Sequence, residues 1–185
     1  MPGSASSARR AKKTDGNTDQ TEPPAFASRS GAVFTYAVVA GVLLVADLLT
    51  KWIVFQRIAG DEVIPVIPGL LNLRVVMNPG AVFGIGKGLA PLFVLFALAA
   101  AVGLTWAAAR HGPSSRLLTV GLGCLLGGAL GNLWDRVTLG QVRDFIDLYA
   151  GTRHWPTFNV ADIAICAGAA AIVLHAFLHP EPKKS

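Results

Sequence analysis

The sequence predicts an all-α membrane protein: four transmembrane helices carrying a small extramembrane β element on the outer side. Two observations point there. The 185 residues are 52% apolar and only 15% charged, with a mean hydropathy of +0.51, outside the range of ordinary soluble domains. A span needs about 20 mostly apolar residues, and four stretches qualify, at about 32–55, 89–109, 117–134 and 160–178.

The first span, from about Ala32 to Phe55, is interrupted by Asp47 and Lys51. Four residues apart with the acid first, these two share a helix face in the favourable order. On that spacing alone they form a self-neutralising pair, with Lys51 snorkelling to the outer interface beside Trp52. A segment of about 30 residues follows, punctuated by Pro65, Pro68 and Gly69; within it Leu71-Asn72-Leu73-Arg74-Val75 alternates as a strand does. The segment closes on Asn78-Pro79-Gly80-Ala81-Val82-Phe83, a dense turn signal. Span 2 is uncharged. Span 3 repeats glycine at Gly123, Gly127 and Gly131, a ridge that lets another helix approach closely. It ends in Asn132-Leu133-Trp134-Asp135-Arg136, either an interface anchor or a buried polar network. Residues 137–158 read as a second outer loop, and span 4 opens with Asn159, a good N-cap.

Charge orients these spans. Basic residues precede span 1 (Arg9, Arg10, Lys12, Lys13, Arg29), bracket the link between spans 2 and 3 (Arg110, Arg116) and follow span 4 (Lys183, Lys184). Four spans put these regions on one side, which the positive-inside rule makes the cytoplasm. Residues 1–30 read as a disordered cytoplasmic tail, 31–180 as the four-span domain and 181–185 as a second cytoplasmic tail. The first span is too long for a cleaved signal peptide and reads as a signal anchor. The small basic cluster lacks interleaved aromatics, which argues against nucleic acid. Cys124 and Cys166 have no metal-type spacing and read as small core residues, and His175 and His179 have no carboxylate beside them to complete a metal site.

The chemistry-bearing candidates are aspartates. A carboxylate near hydrocarbon costs roughly 2.5–3.5 kcal/mol, so it marks a functional site by default. Asp144 and Asp162 flank the entrance to span 4. Asp162 also stands three residues after Asn159, where capping alone would favour an acid. Asp147 is as acidic as Asp144, and spacing does not choose between them.

Read in order, five segments resemble the lipoprotein signal peptidases (signal peptidase II), aspartic proteases of the bacterial inner membrane. They are Asp47-Leu-Leu-Thr-Lys51, Asn78-Pro-Gly-Ala-Val-Phe83-Gly, Gly127-Gly-Ala-Leu-Gly-Asn-Leu-Trp-Asp-Arg136-Val, Gly140-Gln-Val-Arg-Asp144-Phe-Ile and Phe158-Asn-Val-Ala-Asp162. The resemblance implies a catalytic dyad of Asp144 and Asp162, with no role for Asp147. It places Asp47, Lys51, Asn78, Gly80, Asn132, Arg136, Asn159 and Ala161 around the active site, and Asp135 as support. It implies removal of signal peptides from diacylglyceryl-modified prolipoproteins by a cut just before the lipidated cysteine. The four helices would have both ends cytoplasmic and the β element on the periplasmic side. The expected partners are those prolipoproteins and membrane lipid, with the chain working as a monomer and without metal or cofactor. Two departures stand out: Val82 where the family often has alanine, and Arg143 where it often has a second apolar residue. Arg143 either lowers the pKa of its neighbouring acid or points into solvent.

Paired carboxylates suit this reaction because they cannot both ionise cheaply, so the pair holds one proton. The rival readings are a small transporter or proton relay, and an assembly subunit packed through the glycine ridge. A relay predicts polar residues at several depths, yet spans 2 and 3 are apolar through their middles.

Overall fold

The structure, a computed structural model, describes residues 29–80, 90–111 and 115–180. The expectations for the N-terminal tail up to residue 28, for Ala81, Val82 and Phe83, and for Lys183 and Lys184 lie outside the described residues. Four helices occupy the four apolar stretches: α1 Arg29–Arg57, α2 Ala90–His111, α3 Arg116–Leu139 and α4 Val160–Leu178. Among the described residues α1, α3 and α4 are long and apolar enough to cross a membrane, whereas the apolar core of α2, Val94–Trp106, is shorter. Large apolar side chains face outward, with Phe34 71% and Phe177 79% exposed. Hydrocarbon rather than water is the solvent that such surfaces require.

With lipid outside, tight packing has to hold the helices together, and α3 is where it is built. Gly123 and Gly127 lie against α1, and a β-carbon on Gly127 would stand 2.7 Å from the Ala40 carbonyl oxygen. A second small-residue face, Gly121 and Gly128, lies against Ala171, Ala161 and Ile165 of α4. The ridge read from the sequence accounts for the α1 face; the α4 face is an addition to it. On α1, Ala32, Tyr36 and Ala40 are buried, and the Tyr36 hydroxyl is 3.1 Å from Thr105 Oγ1 on α2.

The β element is larger than the sequence suggests. It is four strands in the order β1-β2-β3-β4: β1 Val63–Ile67, β2 Leu71–Asn78, β3 Val142–Ala150 and β4 Arg153–His154. All neighbours are antiparallel. Residues 137–158 are therefore no plain loop. They hold the last turn of α3, which passes Trp134 to end at Gly140 (φ 72°), and then a hairpin. Asp144 thus sits on a strand that pairs with Asn78's strand. Two further corrections concern side chains. Lys51 is fully buried rather than snorkelling, and Cys166 is exposed on the outer face of α4 rather than in the core.

Candidate active site

Where α1, α3, α4 and the sheet meet, polar side chains gather at the ends of helices that are mostly apolar along their lengths. The arrangement starts at the N-terminus of α4. Asn159 is its N-cap: its Oδ1 accepts the Asp162 N–H (3.1 Å), and the Asp162 carboxylate accepts the Asn159 N–H (3.1 Å). This capping box consumes one face of each side chain and fixes both rotamers. The neighbouring N–H, that of Ala161, donates to Asp47 Oδ1 at 2.9 Å. Asp47 reaches it because Gly131 has no β-carbon; one there would overlap the Asp47 carboxylate.

The remaining atoms of Asn159 point at the second acid. Its Nδ2 donates to Asp144 Oδ1 (2.7 Å) and to Asn132 Oδ1 (3.1 Å). Asn132 Nδ2 donates to Asp162 Oδ1 (2.8 Å). The two amides therefore tie the two carboxylates together, one donor to each. Asn132 cannot be turned the other way, since its Oδ1 also accepts from the Lys51 ammonium (3.0 Å). A third amide completes Asp144: Asn78 Nδ2 donates to its Oδ2 at 2.9 Å, while Asn78 Oδ1 accepts the Gly80 N–H. Capping thus explains one oxygen of Asp162, and the second oxygen is given to Asn132.

Behind this lies a charged layer. Lys51 Nζ reaches Asp47 Oδ2 (2.7 Å) and Asp135 Oδ2 (3.3 Å) in addition to Asn132, so its three protons have three acceptors. Asp135 is gripped again by Arg143, whose Nη2 lies 2.7 Å from Oδ1 and whose backbone N–H donates to Oδ2. Arg143 therefore takes neither expected part; it neutralises Asp135 and lies over the Phe55 ring. Arg136, one residue along α3, points elsewhere: it donates to the Gly80 and Asn132 carbonyl oxygens, and its charge acts on Asp162, Asp144 and Asp135. The cluster of Asp47, Asp135, Asp144 and Asp162 against Lys51, Arg136 and Arg143 holds four acids and three bases. One proton on the Asp144–Asp162 pair makes it neutral, the state a low-dielectric site favours.

Asp144 holds its proton more tightly than an ordinary carboxyl does. Burial pushes its carboxyl up to about 6; Asp162's charge pushes the same way, while the bonds from Asn78 and Asn159 pull against it. Asp144 also lies on the wall of an open cleft of about 220 Å³, beside Val76, Met77, Asn78, Pro156 and Thr157. Asp147, by contrast, is turned to Asn72 and His154. All eleven residues singled out in the sequence converge here. Arg143 as a partner of Asp135 was missed, because only the folded β3 brings it to α3. No group of three or more metal-ligating side chains occurs among the described residues.

The chain matches the family model described as signal peptidase (SPase) II over residues 39–178. It is 37% identical over 156 residues to a lipoprotein signal peptidase of Desulforapulum autotrophicum, covering 82% of this chain and 96% of that one. To the lipoprotein signal peptidase of Geobacter metallireducens it is 39% identical over 142 residues, covering 75% and 88%. Among solved structures, a bacterial membrane enzyme superposes with a TM-score of 0.74 at 28% identity, covering 82% of this chain and 94% of that one.

Proposed function

We propose that this chain, which belongs to the signal peptidase II family, removes signal peptides from prolipoproteins as an aspartic endopeptidase whose dyad is Asp144 and Asp162. The observation that carries the proposal is the pair of amides, Asn132 and Asn159, that links the two carboxylates and donates to each. Donors aimed at both acids leave the remaining proton to be shared between them. The ionised partner then accepts a proton from water as that water attacks the scissile carbonyl. The protonated partner donates to the carbonyl oxygen, giving a gem-diol. As the C–N bond breaks, the first partner passes the proton it took from water to the leaving amine, and the second takes back a proton from a gem-diol hydroxyl. Base and acid are roles of the dyad and not of one residue. Lys51, Asp47 and Asp135 take no proton in this scheme; they orient Asn132 and Ala161, and through them Asp162.

The substrates are diacylglyceryl-modified prolipoproteins, cut before the lipidated cysteine, and membrane lipid is the medium in which they arrive. In this reading α2 is the fourth span, residues 31–180 are the peptidase domain, and both termini are cytoplasmic. The dyad lies near the periplasmic face of the inner membrane, and the chain works as a monomer without nucleic acid. Purified chain in lipid vesicles, given a lipidated precursor, should release a product whose N-terminus is the lipidated cysteine by mass spectrometry. A cut at another bond, or equal cleavage of unlipidated precursor, overturns the substrate assignment.

A further inference from the structure

The buried Asp147 and the exposed His154 form an acid–imidazole pair that the mechanism above does not use. Asp147 is 1% exposed. Its carboxylate accepts the His154 Nδ1–H at 2.8 and 3.1 Å, and Asn72 Nδ2 donates to it at 3.3 Å. Tyr149 stacks on the imidazole with the planes 14° apart, while its hydroxyl accepts the Gly69 N–H. An acid so enclosed, paired to the side chain of the next strand, constrains how those two strands align.

The alignment itself is irregular. Tyr149 pairs with His154 and Ala150 with Arg153, yet further along Ile146 pairs with Phe158. Two residues of β3, Asp147 and Leu148, thus oppose three, Trp155, Pro156 and Thr157. One extra residue is a bulge, a device that re-aims side chains beside active sites. Here it turns Pro156 and Thr157 into the cleft, across from Met77 and Asn78. Pro156 has no N–H for the ladder, which suits it to this position. Beyond the bulge the Phe158 carbonyl accepts from both Phe145 and Ile146, and Asn159 follows. A strap lacking the bulge would pair Ile146 with Thr157 and carry Asn159 one residue away from Asp144.

We propose that the Asp147–His154 pair is a positioning element that pins this bulged strap, residues 155–158, as one wall of the substrate cleft. The proposal rests on the peptidase reading for its kinetic consequence but not for its structural one. Asn159 is held separately by its capping box, so loosening the strap disturbs the wall more than the dyad.

His154→Ala should therefore raise KM for a lipidated precursor by about tenfold, as expected for loss of one hydrogen bond to a charged group, with kcat changed by less than about threefold. Asp147→Ala should do the same, while Asp147→Asn, which keeps an acceptor oxygen for Nδ1, should stay within about threefold of the original enzyme in both constants. Hydrogen exchange followed by mass spectrometry on the same variants reads the strap directly. Amides of residues 153–158 should exchange at least about fivefold faster in His154→Ala, with Asn159, α3 and α4 unchanged. Unchanged exchange overturns the proposal, as does a fall in kcat at constant KM. If the original chain cleaves no lipidated precursor, the peptidase reading falls, and the exchange result alone decides the strap.

Discussion

Lys51→Met removes the cation that bridges Asp47 and Asp135 in the buried layer. Its ammonium touches Asp47, Asp135 and Asn132, and the side chains of Lys51, Asp47 and Asp135 are completely enclosed. The loss is uneven. Asp135 keeps Arg143 at 2.7 Å, whereas Asp47 keeps, among the described residues, the Ala161 N–H on its other oxygen. Stranding one buried charge costs roughly 3–5 kcal/mol. For a chain of this size each kcal/mol moves the midpoint by about 2–4 °C, so unfolding in detergent micelles should fall by roughly 6–20 °C. Because the burden falls on Asp47, adding Asp47→Leu to Lys51→Met should recover much of it, with a coupling of roughly 2 kcal/mol in the double-mutant cycle. A Lys51→Met protein within about 1 kcal/mol of the original, or a cycle that shows simple additivity, refutes the reasoning. The lysine would then be a solvated surface charge, as helix spacing alone suggests.

Three further outcomes follow from other parts of the structure. Asp144, held near 6 in the folded protein against an ordinary 3.8, binds its proton more tightly folded than unfolded, so its burial costs stability above pH 6 and the cost is relieved as pH falls toward the unfolded value. Between about pH 7.5 and about pH 5 the original protein should gain about 1.4 kcal/mol that Asp144→Asn does not, read as the difference in unfolding midpoints. Gly128→Ala would drive a methyl into the Ala161 carbonyl oxygen and to 2.8 Å from Ile165 Cγ1; it should cost about 1–3 kcal/mol and most of the activity, whereas Gly41→Ala, with nothing within 4 Å, should do neither in the same assays. Reporter fusions near Thr152 and after Lys184 should report opposite sides of the membrane, the second cytoplasmic; a cytoplasmic Thr152 removes the proposed site from the outer face.

How much of this was legible follows the range of each interaction. The helices announce themselves by composition, and the start of α4 by Asn159 and Asp162, whose capping box closes within four residues. Strand β3 was hidden because its burial breaks the period of two: Asp144 and Phe145 are both buried beside the bulge opposite β2. The end of α3 was placed early because apolarity stops at Trp134, while the helix runs to the left-handed Gly140. The burial of Lys51 depends on Asp135 and Asn132, more than 80 residues away, and no local pattern could carry it. The choice of Asp144 over Asp147 rested on resemblance; in the folded chain Asn159 reaches the first and His154 the second.

The central claim is that Asp144 and Asp162 act as one catalytic unit. Purified Asp144→Asn, Asp162→Asn and the double variant, each checked for folding by its unfolding midpoint, should be assayed on a lipidated precursor beside Asp147→Asn. Each single variant should lose at least about 10³-fold in kcat, the double no more than either single, because a dyad is lost whole. Asp147→Asn should retain most of its turnover. A folded Asp144→Asn or Asp162→Asn enzyme within about tenfold of the original, or losses that multiply in the double variant, would contradict the account.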